Sequence, residues 1–187
     1  MRVQVWQQVY RCLVRVHCGC RMKALRLMVG RLFKQPDVVA VQGDVQQIGS
    51  DRAALLRDIV KQAEIAHAKK KTPVIFTSRV EQVFSDQAAR LGFGEQVSAL
   101  LMEVVKNLPV SIGYLISKGG ITSNDVLSTG LALQTSRVVG QILPGCSVVC
   151  CPDDHPRFPN MPVVIFPGNV GDENALSKIF QCLPNTE

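Results

Sequence analysis

The sequence predicts an α/β fold, a mostly parallel sheet flanked by helices in a single domain, on three observations. Short apolar runs alternate with segments of helical period from about Cys12 onward. Aromatic residues are only 5% of a chain that is 47% hydrophobic, so the core has to be built from Val, Leu, Ile and Ala. That composition suits a sheet packed under helices better than a Tyr- and Trp-rich sandwich. Two glycine segments, Gly119-Gly120 and Gly168, each follow directly on a predicted strand, where open α/β sheets gather ligands. A length of 187 residues is enough for one sizeable core.

The elements follow in order. Residues 13–16 read as a strand, and 23–34 as a helix with Leu25, Met28, Val29 and Leu32 on one face; Pro36 ends it. A second strand at 38–41 leads to a long helix over 51–71, capped by Ser50 or Asp51 and closing on Lys69, Lys70 and Lys71, which complement the helix dipole. Residues 74–76 are apolar without interruption, as a buried parallel strand should be. The polar stretch 79–93 has no clear period, and a helix over 96–108 stops at Pro109. Strand 114–116 runs into Lys118-Gly119-Gly120-Ile121-Thr122-Ser123 and a helix over 124–133. Strands at 137–142 and 147–150 are joined by the Pro144-Gly145 turn; strand 162–166, a glycine segment at 167–171 and a helix over 172–183 close the chain.

Charge narrows the function classes. The net charge of +6 is concentrated at one end: Arg2, Arg11, Arg15, Arg21, Lys23, Arg26, Arg31 and Lys34 precede the first acidic residue, Asp37, and the rest is nearly balanced. A basic tip of this kind reads first as a solvated helix face, then as a polyanion-binding face or targeting segment. With Trp6, Tyr10 and Phe33 the only aromatic residues among these bases, nucleic acid is not the expected partner. No run approaches the roughly 20 apolar residues of a membrane span, so no membrane partner is expected. Seven cysteines include no C-x-x-C pair, and no histidine stands at zinc-finger spacing. They read as reduced thiols in a cytoplasmic protein, with no structural metal.

The glycine segments carry the chemistry. Without side chains at Gly119 and Gly120, backbone N–H groups can approach an anion closely, while Thr122 and Ser123 add hydroxyls near the start of the next helix. The spacing is neither that of a P-loop nor the Rossmann fingerprint, and a plain capped turn accounts for it equally well. At the second segment, Asp172 and Glu173 open the predicted helix and would repel a bare phosphate. Gly168 and Asn169 are therefore assigned first to base, ribose or other polar contact, and to phosphate second; a magnesium ion between carboxylate and phosphate would reverse that order. His17, His67 and His155 are titratable, but none is singled out as a catalytic base. His67 reads as lying on the polar side of its helix, and His155 as part of the turn Asp153-Asp154-His155-Pro156.

Three blocks in order, Ile116 to Ser123, Val139-Gly140-Gln141-Ile142-Leu143-Pro144-Gly145, and Phe166 to Asp172, resemble the C-terminal nucleotide-binding domain of the four-carbon acid sugar kinase family. Thr77-Ser78-Arg79 resembles a further block. The resemblance spans residues 20–187 as one nucleotide-binding domain and leaves 1–19 as a poorly matching basic segment. It implies a kinase that uses ATP and Mg2+ to phosphorylate tetronates or 3-oxo-tetronates. Gly119, Gly120, Ile121 and Thr122 would match the ATP segment, and Gly168 a second nucleotide-contacting glycine. Cys20 would stand where the family has a serine, although a thiol is the weaker donor. The resemblance also implies a sugar-acid-binding domain or subunit absent from this chain, without which positioned phosphoryl transfer is not expected. A non-catalytic nucleotide-binding or interaction module derived from such a kinase is the alternative.

Overall fold

A computed structural model of the chain describes residues 10–15, 23–78 and 84–183, with side chains from Leu27 onward. Its strands are β1 (Tyr10–Arg15), β2 (Val38–Gly43), β3 (Thr72–Thr77), β4 (Ile112–Lys118), β5 (Arg137–Leu143), β6 (Cys146–Cys150) and β7 (Pro162–Phe166). They form one sheet in the order β2-β3-β1-β4-β7-β6-β5. The first five strands in that order are mutually parallel, while β6 runs antiparallel to β7 and to β5. The sheet is thus mostly parallel, with an antiparallel hairpin at one edge.

The helices are α1 (Lys23–Leu32), α2 (Ile48–Ala68), α3 (Gln87–Lys106), α4 (Gly120–Asp125) and α5 (Ala175–Cys182). They cover both faces of the sheet. Alternate strand residues divide accordingly, because side chains of a strand point to opposite faces. Val41, Ile75, Leu115 and Val163 pack with Leu55, Ile59, Leu100 and Val104 of α2 and α3. Val74, Phe76, Ile116 and Val164 pack with Met28, Leu32, Leu176 and Ile179 of α1 and α5.

Several boundaries differ from the sequence reading. Strand β1 spans Tyr10–Arg15 rather than 13–16, pairing with β4 as far back as Ile112. The α2 segment begins at Ile48 and breaks at Asp51, whose backbone is extended (φ −150°, ψ 70°) and whose Oδ1 accepts the Ala54 N–H at 2.9 Å. Asp51 is thus a true cap, preceded by one extra turn. Lys69 to Lys71 lie beyond the helix, which ends at Ala68 with Lys70 left-handed at φ 56°. Helix α3 starts nine residues early, at Gln87, because Asp86 caps it through the Ala89 N–H at 2.8 Å; Gly92 and Gly94 obscure its period. Helix α4 starts at Gly120, not at 124, and passes into a wider π-type turn over Val126–Gly130. Helix α5 begins only at Ala175, so Asp172 and Glu173 sit in the turn before it.

The connections fix where a ligand can collect. From β1 the chain runs through α1 out to β2, returns through α2 to β3 beside β1, then crosses through α3 to β4 on the other side of β1. The direction of winding therefore reverses between β1 and β4, and the crevice this opens lies at their C-terminal ends. There Arg15 is in register with Lys118, and Lys118 with Phe166. Both glycine segments leave the sheet from this row, side by side.

Candidate functional site

Gly119 joins β4 to α4 at φ 117°, ψ 141°, a backbone region that side chains disfavour. An added β-carbon would stand 3.2 Å from Thr122 Oγ1. The Gly119 N–H donates to Phe166 O at 2.8 Å, tying the first segment to β7, and its carbonyl accepts the Ser123 N–H at 2.9 Å. The first turn of α4 leaves the N–H groups of Gly120, Ile121 and Thr122 without an intrahelical acceptor, and Gly119 has no side chain to cap them. A β-carbon at Gly120 would meet nothing within 4 Å. Ile121 is 81% exposed, an apolar side chain beside these donors, while Thr122 and Ser123 are buried. Ser123 Oγ donates back to Ser117 O at 3.2 Å, which fixes the start of the turn.

The second segment is organised by a lysine that sequence reasoning passed over. Lys118, at the end of β4, is only 2% exposed. Its Nζ donates to Pro167 O and, at 3.1 Å, to Gly168 O, and it lies 4.0 Å from the centre of the Phe166 ring. Two carbonyl dipoles and a ring face offset the cost of burying an ammonium. Burial pushes the Cys146 thiol up, with the nearby Lys118 charge pulling it down. Gly168 and Asn169 are exposed, and the Gly168 β-carbon position is open. Gly171, at φ 84°, turns the chain toward α5 where an added β-carbon would fall 2.5 Å from Ala175 Cβ.

The carboxylates here are already committed. Asp172 accepts from Lys178 Nζ at 3.2 Å and from the Asn174 N–H at 2.9 Å, which hold its carboxyl below the ordinary range. Glu173 is paired with Arg31 of α1, which also donates to Asn174 Oδ1 at 2.9 Å. Both acids are paired with basic neighbours, Glu173 with Arg31 and Asp172 with Lys178.

The remaining candidates scatter. Cys20 and His17 lie outside the described residues, although β1 delivers the chain beside Lys118 five residues before Cys20. His67 is buried, not on a polar face; its Nε2 is 2.8 Å from Ser111 Oγ, and burial lowers its pKa. His155 is held by Leu131 O at 2.8 Å and by the backbone N–H groups of Arg157 and Phe158, so it braces its own loop. Ser78, at the end of β3, accepts the Val45 N–H at 3.0 Å and donates to Asp44 at 3.2 Å, a structural link between strand ends. Among the described residues no three His, Cys, Asp or Glu side chains gather to hold a metal, and no helix is long and apolar enough to cross a membrane.

A doubly wound sheet with two glycine segments and three uncapped amides at its switch point defines the class: an α/β nucleotide-binding domain. The family described as nucleotide-binding C-terminal domain matches residues 29–176. The chain belongs to that family, which supports the resemblance to the four-carbon acid sugar kinases. No curated protein matches the sequence. Three solved structures share the fold. One is a domain of unknown function (DUF1537) from Bordetella bronchiseptica, a domain-swapped dimer with bound citrate, at 17% identity and TM-score 0.73 over 97% of this chain and 43% of that one. A candidate tRNA synthase from Salmonella typhimurium LT2 is 18% identical, with TM-score 0.68 over 96% of this chain and 41% of that one. A DUF1537 protein from Haemophilus influenzae is 16% identical, with TM-score 0.65 over 94% and 41%. The chain spans about two fifths of the length of these proteins.

Proposed function

We propose that this domain, residues 20–187, holds ATP for a kinase that phosphorylates four-carbon sugar acids of the tetronate or 3-oxo-tetronate type. The observation that carries the reading is the turn at Gly119 to Thr122: three donors uncapped by any side chain, open space over Gly120, and an exposed Ile121 beside them. That arrangement fits a nucleotide, with the amides on its phosphates and Ile121 against an apolar surface such as the base. Gly168 on the adjacent segment is the second contact, and Cys20 a third. ATP would supply the transferable phosphoryl group. Mg2+ travels with the nucleotide, taking its ligands chiefly from phosphate oxygens and water, as is usual for this ion.

Phosphoryl transfer depends on positioning both reactants. His67 and His155 are tied into the fold, which supports a base and sugar-acid contacts contributed by a separate domain or subunit. The four cysteines whose side chains are described, Cys146, Cys150, Cys151 and Cys182, are free thiols, as suits a reducing cytoplasm. Calorimetry with ATP and Mg2+ tests the reading: saturable one-site binding is expected, with no phosphorylation of any tetronate by this chain alone. Absence of binding, or turnover of a four-carbon acid by the 187-residue chain, would overturn it.

A further inference from the structure

We infer that Lys118 is a positioning residue that turns the Pro167-Gly168-Asn169 segment into a second phosphate-binding element, so that both glycine segments grip the polyphosphate. This rests on the nucleotide-binding reading above. The two carbonyls that accept from Lys118 Nζ belong to consecutive peptide units, Pro167–Gly168 and Gly168–Asn169. A trans peptide is planar, with its C=O and N–H pointing opposite ways. With both carbonyls drawn inward to the buried ammonium, the Gly168 and Asn169 N–H groups point away from it, toward the exposed side of the segment. Open space over Gly168 lets an anion approach both.

Three further observations converge on an anionic occupant. Lys118 places its ammonium behind these two amides and directly ahead of Gly119 in sequence, so its field acts on both segments. Register puts Lys118 opposite Phe166, and the Gly119 N–H is bonded to Phe166 O, so the two segments are fixed to each other at their roots. The acids that would have repelled phosphate are engaged, Asp172 by Lys178 and Glu173 by Arg31.

The test compares ATP with adenosine on the wild type and on Lys118→Met, following amide shifts by NMR to obtain both affinities. The expected result is a loss of at least about tenfold for ATP, equivalent to roughly 1.4 kcal/mol, with adenosine affinity unchanged. In the wild type, tripolyphosphate should shift the Gly168 and Asn169 amides together with those of Gly120 to Thr122. If Lys118→Met does not fold, Asn169→Pro, which deletes one amide on the exposed segment, should weaken ATP several-fold and leave adenosine alone. Equal losses for ATP and adenosine, or no shift at Gly168 and Asn169 with tripolyphosphate, overturn the inference while leaving nucleotide binding intact. A wild type that binds neither ligand overturns the nucleotide reading and this inference with it.

Discussion

The two glycine segments sit side by side at the C-terminal ends of the interior strands β4 and β7 yet reach their shapes by different means. The first turns directly into a helix, so its donors are the surplus amides of a helical start and its shape is local, set by Gly119 and by Ser123 bonding back to Ser117. The second stands off from its helix by several residues and is held from outside, by Lys118 beneath, Arg31 and Lys178 at its flank, and Gly171 at its exit. Changes in the first segment should therefore register in binding. Changes in the second should register in stability as well.

The largest effect is expected at Gly171. A β-carbon there meets Ala175 at 2.5 Å and the Phe166 ring at 3.1 Å on a backbone with positive φ. Gly171→Val should cost about 3 kcal/mol from strain and overpacking together. For a domain of this size that is a fall in melting temperature of roughly 6 to 12 °C. A melting temperature within a degree of wild type would mean the second segment is not held as described.

Gly120→Val inverts that pattern. Its β-carbon meets no protein atom within 4 Å, so the circular dichroism spectrum should be retained while ATP affinity falls at least about tenfold. Unchanged ATP affinity in a folded variant would exclude phosphate from the first segment. Thr122→Ala should weaken ATP less, by about 0.5 to 1.5 kcal/mol, the net value of one hydroxyl contact. Calorimetry on the pair ranks the two.

The smallest effect separates the segments by pH. Lys178 and the Asn174 amide depress the Asp172 pKa, so the stability this carboxylate adds is complete above its ordinary unfolded value and is lost as pH falls through the lower folded one. Asp172→Asn should melt slightly below wild type at neutral pH, and the two curves should converge in acid. A gap that persists at low pH would assign the role of Asp172 to something other than its charge.

Much of the fold was legible because the parallel strands announce themselves. Val38 to Val41, Val74 to Phe76 and Val163 to Phe166 are apolar runs that only a covered sheet can bury. The glycine segments were legible as positions. Their chemistry was not, since the partners lie far along the chain: Lys118 meets Pro167 and Gly168 some fifty residues away, and Arg31 meets Glu173 across 142. For the same reason His67 read as a surface residue until Ser111, 44 residues on, closed over it. The first half of α3, where Leu91 is exposed and Gly92 and Gly94 contribute no side chain, carries no period to read.

The place of β1 in the sheet has a consequence for how the domain assembles. Tyr10–Arg15 comes before every other described strand in the chain, yet it lies between β3 and β4, whose pairing residues begin at Val74 and Ile112. A growing polypeptide therefore presents this strand long before either neighbour exists. One of its hydrogen-bonding edges stays unpaired until the chain has passed Thr77 and the other until it has passed Lys118, which slows folding and exposes the strand to wrong pairings in that interval.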